Sequence, residues 1–319
     1  MAKALFKLAN NNNISLVEGE FVEGVEDGFV FTDFLGEKKF TIKSERFLFV
    51  TKEEVLSLGF VTKNKTEWKT TLKEDYEFGF TIIQNEIDHN HINKAILSRK
   101  KSYDKNVNAT TLFVKLCESY PDSHIFLTET IDGDLWIGAS PETLLTDTKI
   151  ELETMSLAGT KQSEDIPWTE KEYEEQRIVT NSIVGELYKL NINPDVKELE
   201  TVKAGAVYHL RNRIAFKSLE SIINIVNNLH PTPAISGNPK EQSIATIKIA
   251  ENHSRSYYSG YGGPLNIKGL THLFVNLRCA AISQNQICLY VGAGITKLSE
   301  VDKEWEECER KAQSILNFL

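Results

Sequence analysis

The sequence predicts an α+β fold built on large antiparallel sheets, and three observations support this class. Strand-like segments follow one another directly, as at His124–Glu129 and Leu135–Ala139. The segments His272–Ile282 and Gln286–Ile295 flank a short polar loop, a pattern typical of a β-hairpin. The helical segments are grouped between runs of strands, whereas in a βαβ protein single strands and helices would alternate.

The remaining elements follow from periodicity and from residues that favour turns or helix ends. Residues 14–60 hold short strand-like runs, and the polar segment 62–76 is the best candidate for a boundary. We expect one domain, with a short N-terminal strand region over 1–70 and a core over 71–319. Further predicted strands are Ile14–Val17, Gly28–Thr32, Lys39–Ile42, Thr143–Asp147 and Val207–Phe216. The predicted helices are Asn108–Ser119, Thr169–Leu190, Leu219–Asn228, Lys240–His253 and a C-terminal helix that opens at Ser299.

Composition restricts the class of protein and its partners. The 319 residues are 41% hydrophobic and 25% charged, which is ordinary for a soluble globular protein. The net charge of −9 argues against a nucleic-acid partner, because phosphate binding needs basic patches. We expect no membrane span, since no apolar run is long enough, and no signal peptide, since the start of the chain lacks an apolar core and a cleavage site. Four cysteines without a CxxC pair indicate reduced thiols of a cytoplasmic protein.

The C-terminal segment combines residue types that suit a small anionic ligand. The strand predicted at Leu289–Ile295 is expected to run into a glycine turn at Gly292-Ala293-Gly294. On the helix that follows, Glu307 and Lys311 are one turn apart beside the apolar face. A carboxylate, an ammonium group and turn N–H groups would then converge, which suits an anion bound through a metal. An ion pair of about 0.2–0.5 kcal/mol is the commoner explanation of this spacing.

Capping patterns mark the starts of two helices. Thr169 with Glu172, and Ser299 with Asp302, are each spaced as a capping box. On the C-terminal helix, Glu306 and Glu309 are expected on the solvated side, and no functional role is expected for Glu304.

Three upstream residues are unusual for their positions. Glu175 lies on the same side of its helix as several apolar residues, and a carboxylate there is costly unless it is paired or metal-bound. An equally good explanation of this acidic residue is that it lies near the positive N-terminal end of the helix dipole, where a negative charge is favourable. Glu142 lies at a small-residue corner between two predicted strands. Lys94 precedes an apolar run, either as a solvated strand end or as a partly desolvated amine that acts as a base.

Ten motifs, in a fixed order from about residue 85 to the C-terminus, carry a family resemblance. The chain resembles the chorismate-utilising enzymes, which include isochorismate, salicylate, anthranilate and aminodeoxychorismate synthases. The motifs are KAILSR (94–99), GASPE (138–142), LAGT (157–160), EKEYEEQ (170–176), VYHL (207–210), HPTPAISG (230–237), RSYYSGYGG (255–263), NLRCA (276–280), GAGI (292–295) and EWEECERK (304–311).

The resemblance implies a fold of antiparallel sheets packed face to face, with helices outside and the site in a cleft between them. It also implies a Mg²⁺ ion held by Glu175 and Glu307, with room for waters and a substrate oxygen. The ion would bind the ring carboxylate of chorismate, and Lys311 and the backbone around Gly294 would help to hold the same group.

Other roles follow from the same resemblance. Tyr258 and Arg278 would bind the enolpyruvyl carboxylate, a task that suits an arginine fork. His209 would lie near the ring, and Ala158 and Gly159 would allow a close backbone approach.

Two positions indicate which reaction to expect. Lys94 stands where the members that add water to the ring carry a lysine, and Ala234 stands where aminating relatives tend to have threonine. The LAGT segment also lacks the lysine of aminodeoxychorismate synthases. The resemblance therefore implies that Lys94 is the general base for a water that attacks C2. Glu142 would be the general acid for the departing C4 hydroxyl, and burial should raise the pKa of its carboxyl group.

Alternatives remain open on product and pathway. A salicylate synthase would form isochorismate with the same residues and then eliminate pyruvate. A non-catalytic chorismate-binding protein would bind chorismate without catalysing either reaction. Isochorismate would serve menaquinone or siderophore formation, and a single cytosolic enzyme favours menaquinone. We expect a monomer.

The chain also departs from the family pattern. Gln176 replaces a histidine that is common in relatives, which puts the surroundings of Glu175 in doubt. The segment between LAGT and Glu175 is short, and the region before residue 70 matches poorly, so fewer strands and no tryptophan-inhibitor pocket are expected there.

Overall fold

The computed structural model describes residues 1–62, 64–204 and 207–319, and within them it has nineteen strands and seven helices. The strands are β1 (Ala2–Lys7), β2 (Ile14–Gly19), β3 (Phe21–Glu23), β4 (Gly28–Thr32), β5 (Lys39–Lys43), β6 (Arg46–Val50), β7 (Lys94–Asp104), β8 (His124–Glu129), β9 (Leu135–Ser140), β10 (Thr143–Asp147), β11 (Leu152–Lys161), β12 (Asp195–Val196), β13 (Glu200–Ala204), β14 (Val207–Phe216), β15 (Gly237–Asn238), β16 (Tyr261–Leu265), β17 (His272–Val275), β18 (Cys279–Ile282) and β19 (Gln286–Ile295). The helices are α1 (Lys52–Ser57), α2 (Lys73–Asp88), α3 (Ala109–Ser119), α4 (Glu170–Lys189), α5 (Ile222–Leu229), α6 (Lys240–Ala250) and α7 (Val301–Leu316).

The strands form two antiparallel sheets. The nine-stranded sheet has the order β15-β7-β19-β18-β9-β8-β1-β2-β6. The ten-stranded sheet has the order β12-β14-β11-β10-β17-β16-β4-β5-β3, with β13 paired to β14. The N-terminal strands are divided between the two, since β1, β2 and β6 extend the first sheet and β3, β4 and β5 the second.

The two sheets pack face to face through an aromatic core. Phe6 of β1 stacks on Phe29 of β4, with ring centroids 5.8 Å apart, and Phe126 of β8 stacks on Phe274 of β17 at 5.1 Å. Each of these rings is at most 1% exposed, and burying such a side chain stabilises the fold by about 1.5–3 kcal/mol. A second core joins the nine-stranded sheet to α2, α3, α6 and α7, and a third joins the other sheet to α4 and α5. The predicted α+β class, with stacked antiparallel sheets and helices outside, is confirmed.

The capping box is confirmed at α4 and wrong at α7. Thr169 caps α4, and its N–H donates to the Glu172 carboxylate at 2.9 Å. Helix α7 begins at Val301 without a side-chain cap. The Ser299 hydroxyl is instead used by the preceding loop, where it accepts from the Thr296 N–H at 3.1 Å and donates to the Gly294 carbonyl at 3.3 Å.

The segment predicted as one strand, His272–Ile282, is two strands in different sheets. Strand β17 ends at Val275 in the ten-stranded sheet, and β18 begins at Cys279 in the nine-stranded sheet. Between them Arg278 has a φ of +46°, in the left-handed region that turns the chain sharply. This crossing brings Leu277 and Arg278 to the cavity described below.

The expected glycine turn at 292–294 is also wrong, because β19 continues to Ile295 in register with β7. A Cβ at Gly292 would lie 2.8 Å from Tyr258 Oη, and a Cβ at Gly294 would lie 3.0 Å from Glu175 Oε1. These glycines leave room for side chains that approach the strand closely.

The LAGT motif lies at the C-terminal end of strand β11. Strand β11 continues to Lys161, and its register with β14 shifts between Ala158 and Lys161, which is a β-bulge. Gly159 lies in this bulge with a φ of +66°, a conformation that favours glycine.

Two expectations from composition can be compared with the structure. No helix in the described residues is long and apolar enough to cross a membrane. All four cysteines lie in that part of the chain and are free thiols, three of them buried, as predicted.

Candidate active site

One cavity is lined by strands of both sheets and by the facing helices α4 and α7. Its empty volume is about 1020 Å³, a figure that includes the open solvent at its mouth. All eleven residues singled out from the sequence line this cavity. They are Lys94, Glu142, Ala158, Gly159, Glu175, His209, Tyr258, Arg278, Gly294, Glu307 and Lys311.

Lys94 begins β7 and is almost completely buried, with 1% of its surface exposed. Its Nζ donates to Glu175 Oε1 at 2.8 Å. The Lys94 carbonyl is held from behind by the Ser243 hydroxyl of α6 at 2.9 Å. Lys94 is therefore not a solvated strand end, and its amine is directed into the cavity wall that α4 forms.

Glu142 lies in the corner between β9 and β10 and is 2% exposed. Its backbone is fixed by the Val275 N–H, which donates to the Glu142 carbonyl at 3.0 Å. Burial raises the pKa of the Glu142 carboxyl group to about 7, although the Thr232 hydroxyl and the Lys94 charge act in the opposite direction. A carboxyl group with this pKa holds a proton for much of the time at neutral pH, as a general acid must.

Glu307 and Lys311 form an ion pair one turn apart on α7, with Lys311 Nζ 2.7 Å from Glu307 Oε1. Lys311 also donates to the Gly292 carbonyl of β19 at 2.9 Å, which ties the helix to the strand. Burial alone would raise the pKa of Glu307, but the charge and hydrogen bond of Lys311 outweigh burial and lower it. Glu307 is therefore an ionised carboxylate at neutral pH.

Glu304 also faces the cavity, although no functional role was expected for it. It is 3% exposed, and Lys171 Nζ of α4 lies 3.3 Å from its Oε1. Burial and the nearby Glu307 raise the pKa of Glu304, while Lys171 opposes this. The signal in the sequence was spacing, because Glu304 precedes Glu307 by three residues and so shares its face of the helix.

Glu309 is likewise not a freely solvated residue. It forms ion pairs with Arg99 and Lys101 of β7, and Arg99 stacks 3.5 Å from the centre of the Trp305 ring. These contacts hold α7 against the strand that begins with Lys94.

His209 and Arg278 are joined in a way that determines the protonation of the imidazole. His209 Nδ1 lies 2.6 Å from the Gly159 carbonyl oxygen, which can only accept, so Nδ1 carries the hydrogen. His209 Nε2 then accepts from the Arg278 guanidinium at 2.8 Å. Burial and the Arg278 charge lower the pKa of His209 to about 3. The imidazole is therefore neutral and orients Arg278.

Tyr258 lies on the opposite side of β19 from α7 and is 3% exposed. Its ring stacks on Tyr290 at 5.9 Å between centroids, and burial raises the pKa of its phenol. The neutral hydroxyl beside Gly292 is available as a hydrogen-bond donor.

Gln176 is buried behind Glu175 and does not reach the cavity lining. Its amide donates to Ser156 Oγ and to Asn212 Oδ1, each at 2.9 Å. The residue that departs from the family pattern thus anchors α4 to β11 and β14.

The donor chemistry of the cavity fits a magnesium ion. Among the described residues, no three His, Cys, Asp or Glu side chains form a metal site by themselves. Mg²⁺ ordinarily takes one or two carboxylates and completes its shell with waters and substrate oxygens. Glu175 and Glu307 would provide such a pair of hard oxygen ligands on facing helices, and each is paired with a lysine.

Comparison with known proteins gives relatives along most of the chain. Isochorismate synthase EntC of Escherichia coli is 28% identical over 244 residues, which are 72% of this chain and 62% of EntC. The chain thus spans less than two thirds of the length of that relative. Isochorismate synthase MenF of Pasteurella multocida is 25% identical over 325 residues, which are 92% of this chain and 73% of MenF.

Solved structures share the fold. MenF, the menaquinone-specific isochorismate synthase of Escherichia coli, superposes with a TM-score of 0.83 at 21% identity, over 100% of this chain and 89% of that one. The family model described as "Chorismate binding enzyme" matches residues 56–319, which extends the resemblance seen from about residue 85. On this match, and with the family's motifs gathered on one cavity, the chain belongs to the chorismate binding enzyme family.

Proposed function

We propose that this chain isomerises chorismate to isochorismate. The observation that carries the proposal is that Lys94 and Glu142, both nearly inaccessible to solvent, line one cavity with Arg278 and Lys311. An acid and a base in one pocket provide for proton removal and proton delivery, and the cations suit a substrate with two carboxylates. Relatives named isochorismate synthase agree with this reaction.

The proton transfers balance within the cavity. Once its ammonium group has released a proton to solvent, Lys94 takes a proton from a water molecule whose oxygen forms a bond to C2. The ring double bonds shift, and the C–O bond at C4 breaks. The departing hydroxyl receives the proton of Glu142 and leaves as water. The product has the same composition as the substrate, and the two side chains end in the opposite protonation states.

The remaining residues bind and orient the substrate. Arg278, held by neutral His209, and the phenol of Tyr258 would take the enolpyruvyl carboxylate. Lys311 and the backbone near Gly294 would take the ring carboxylate. The register shift between Ala158 and Lys161 would let the backbone approach the ring closely.

Glu175 and Glu307 would hold Mg²⁺, which supplies positive charge for the ring carboxylate when it is bound. Glu175 Oε1 accepts from Lys94 Nζ at 2.8 Å. Glu175 would therefore contact both the cation and the proposed base.

Product use and location are also proposals. We propose a role in menaquinone formation, which the likeness to MenF, the menaquinone-specific isochorismate synthase of Escherichia coli, supports. We further propose that the enzyme acts as a monomer in the cytoplasm.

The test is product analysis. Purified protein is incubated with chorismate and Mg²⁺, with and without ammonia, and products are separated by chromatography; Glu142→Gln is the control. Isochorismate from the native chain alone supports the proposal. Salicylate with pyruvate would show that elimination follows, an aminated product would overturn the reaction, and binding without turnover would indicate a chorismate-binding protein.

A further inference from the structure

Thr232 contacts the carboxyl group of Glu142 from outside the cavity. Thr232 Oγ1 donates to Glu142 Oε1 at 3.2 Å, and the two residues are 1% and 2% exposed. Glu142 lines the cavity, whereas Thr232 is not among the lining residues. Thr232 is therefore placed to act on a substrate only through Glu142.

The backbone of Thr232 is held in one position. Its carbonyl accepts from the N–H groups of Ile235 and Ser236, each at 3.0 Å, and from the Ser236 hydroxyl at 2.8 Å. The same turn carries Ala234 and Ile235 into the cavity lining. A β-branched side chain on such a fixed backbone has few rotamers, so the direction of its hydroxyl is well defined.

The side chain of Glu142 needs such a partner. Its main chain is fixed on both sides, since its N–H donates to Ser140 Oγ at 3.3 Å and its carbonyl accepts from Val275. The bonds between that backbone and the carboxyl group still rotate among staggered positions. A hydrogen bond to one carboxyl oxygen selects one of these positions.

We propose that Thr232 is a positioning residue for the acid step, and that its bond to Oε1 leaves Oε2 to carry the proton. A protonated carboxyl group has one O–H and one carbonyl oxygen. Because Thr232 donates to Oε1, that atom is the carbonyl oxygen, and the proton is on Oε2. This inference rests on the proposed function, in which Glu142 protonates the departing hydroxyl.

The charged groups near Glu142 come from several elements. Lys94 of β7 is the charged residue that acts on the Glu142 carboxyl group directly. The other titratable residues that line the same cavity are Lys171, Glu172, Glu175, His209, Tyr258, Arg278, Tyr290, Glu304, Glu307 and Lys311. Since none of these changes in a Thr232 variant, a shift in the pH profile reports on the lost hydroxyl.

Thr232→Val removes the hydroxyl at nearly constant shape, and Thr232→Ser restores it. We expect kcat of Thr232→Val to fall by about 10- to 100-fold with KM nearly unchanged, since misplacement of a catalytic group acts on the chemical step. The alkaline limb of its pH profile should move to higher pH, because the hydrogen bond from Thr232 lowers the pKa of Glu142 and the variant lacks that bond. Thr232→Ser should stay within about threefold of the native rate, a change of about 0.7 kcal/mol or less. A native profile in Thr232→Val, or equal losses in both variants, would overturn the inference.

A spectroscopic measurement keeps the inference testable if Thr232→Val does not fold. Infrared spectra are recorded for the native protein and for Thr232→Ser. Subtraction of the spectrum of the matching protein with Glu142→Gln isolates the carbonyl stretch of protonated Glu142. A frequency typical of a hydrogen-bonded carbonyl is expected, and that of an unbonded one would contradict the inference. If Glu142→Gln retains native activity, both the acid role and the inference fail. If it loses activity while Thr232→Val does not, the inference fails alone.

Discussion

Lys94 and Glu175 meet in the cavity wall although 81 positions separate them in the sequence, with Nζ 2.8 Å from Oε1. The lysine begins a strand of the nine-stranded sheet, and the glutamate lies on a helix packed on the other sheet. The pair therefore depends on how the two sheets are stacked. It also joins the proposed base to a proposed metal ligand, so a change at either residue is expected to affect both functions.

Removal of the proposed base should abolish turnover and leave binding. Lys94→Ala is expected to lower kcat by at least about 10²–10⁴-fold, the contribution of a positioned base. Chorismate binding, measured by calorimetry, should persist because Arg278 and Lys311 are intact. Lys7→Met is the matched control, since Lys7 is also buried but lies on β1 outside the cavity lining. Full activity in Lys94→Ala would show that the base is another group.

Loss of either facing carboxylate should change the response to magnesium. In Glu175→Gln and Glu307→Gln we expect the Mg²⁺ concentration for half-maximal rate to rise by about tenfold or more, because each would remove one anionic ligand. Glu306→Gln, on the exposed face of α7, should titrate like the native enzyme. Unchanged magnesium titrations in the first two variants would refute the metal assignment.

Activity should decline on the alkaline side of neutrality. The acid form of Glu142 is required, and burial places the pKa of its carboxyl group at about 7. Above this pH kcat/KM should fall about tenfold for each pH unit, since the protonated fraction falls in that proportion. A rate profile measured at saturating Mg²⁺ tests this. A flat profile up to pH 9 would contradict the role of Glu142 as the acid.

The same carboxyl group should make stability depend on pH. Its pKa rises from 4.5 in the unfolded chain to about 7 in the folded one, so the folded state keeps the proton longer. Its stabilising contribution is complete below pH 4.5 and is lost as the pH rises through 7, a change of roughly 3 kcal/mol. The stability of Glu142→Gln relative to the native chain should therefore increase between pH 5 and pH 8 in urea unfolding. A constant difference would be inconsistent with the raised pKa.

A methyl group at Gly294 should disturb the site more than the fold. The added Cβ would lie 3.0 Å from Glu175 Oε1 and 3.1 Å from Lys94 Cε, so the Lys94–Glu175 pair must shift. We expect Gly294→Ala to lose about tenfold or more in kcat, because small misplacements of catalytic groups are costly. Gly185→Ala is the control, since that helical position has open space and the change should stabilise α4 by about 0.5–1 kcal/mol. Equal activity in both variants would argue against a tight contact at Gly294.

Local patterns were predicted well where the signal lies in neighbouring residues. The Thr169 and Glu172 spacing identifies the start of α4, and the strand predicted at Val207–Phe216 is β14 with its observed bounds. Both signals depend on hydrogen bonds or side-chain directions within a few residues. The pattern fails at Ser299, because its hydroxyl is taken by the Gly294 carbonyl and the Thr296 N–H.

The sequence by itself determined the α+β class, the order of most elements and, through its motifs, the eleven residues that line one cavity. Only the tertiary structure decided that Gly292 and Gly294 are strand residues, since their reason is the approach of Tyr258 and Glu175 from other elements. It also decided that Glu304 faces the cavity and that Thr232 contacts Glu142. These facts are set by the packing of the two sheets and their helices, which distant residues determine together, whereas strand and helix periodicity is a property of adjacent residues.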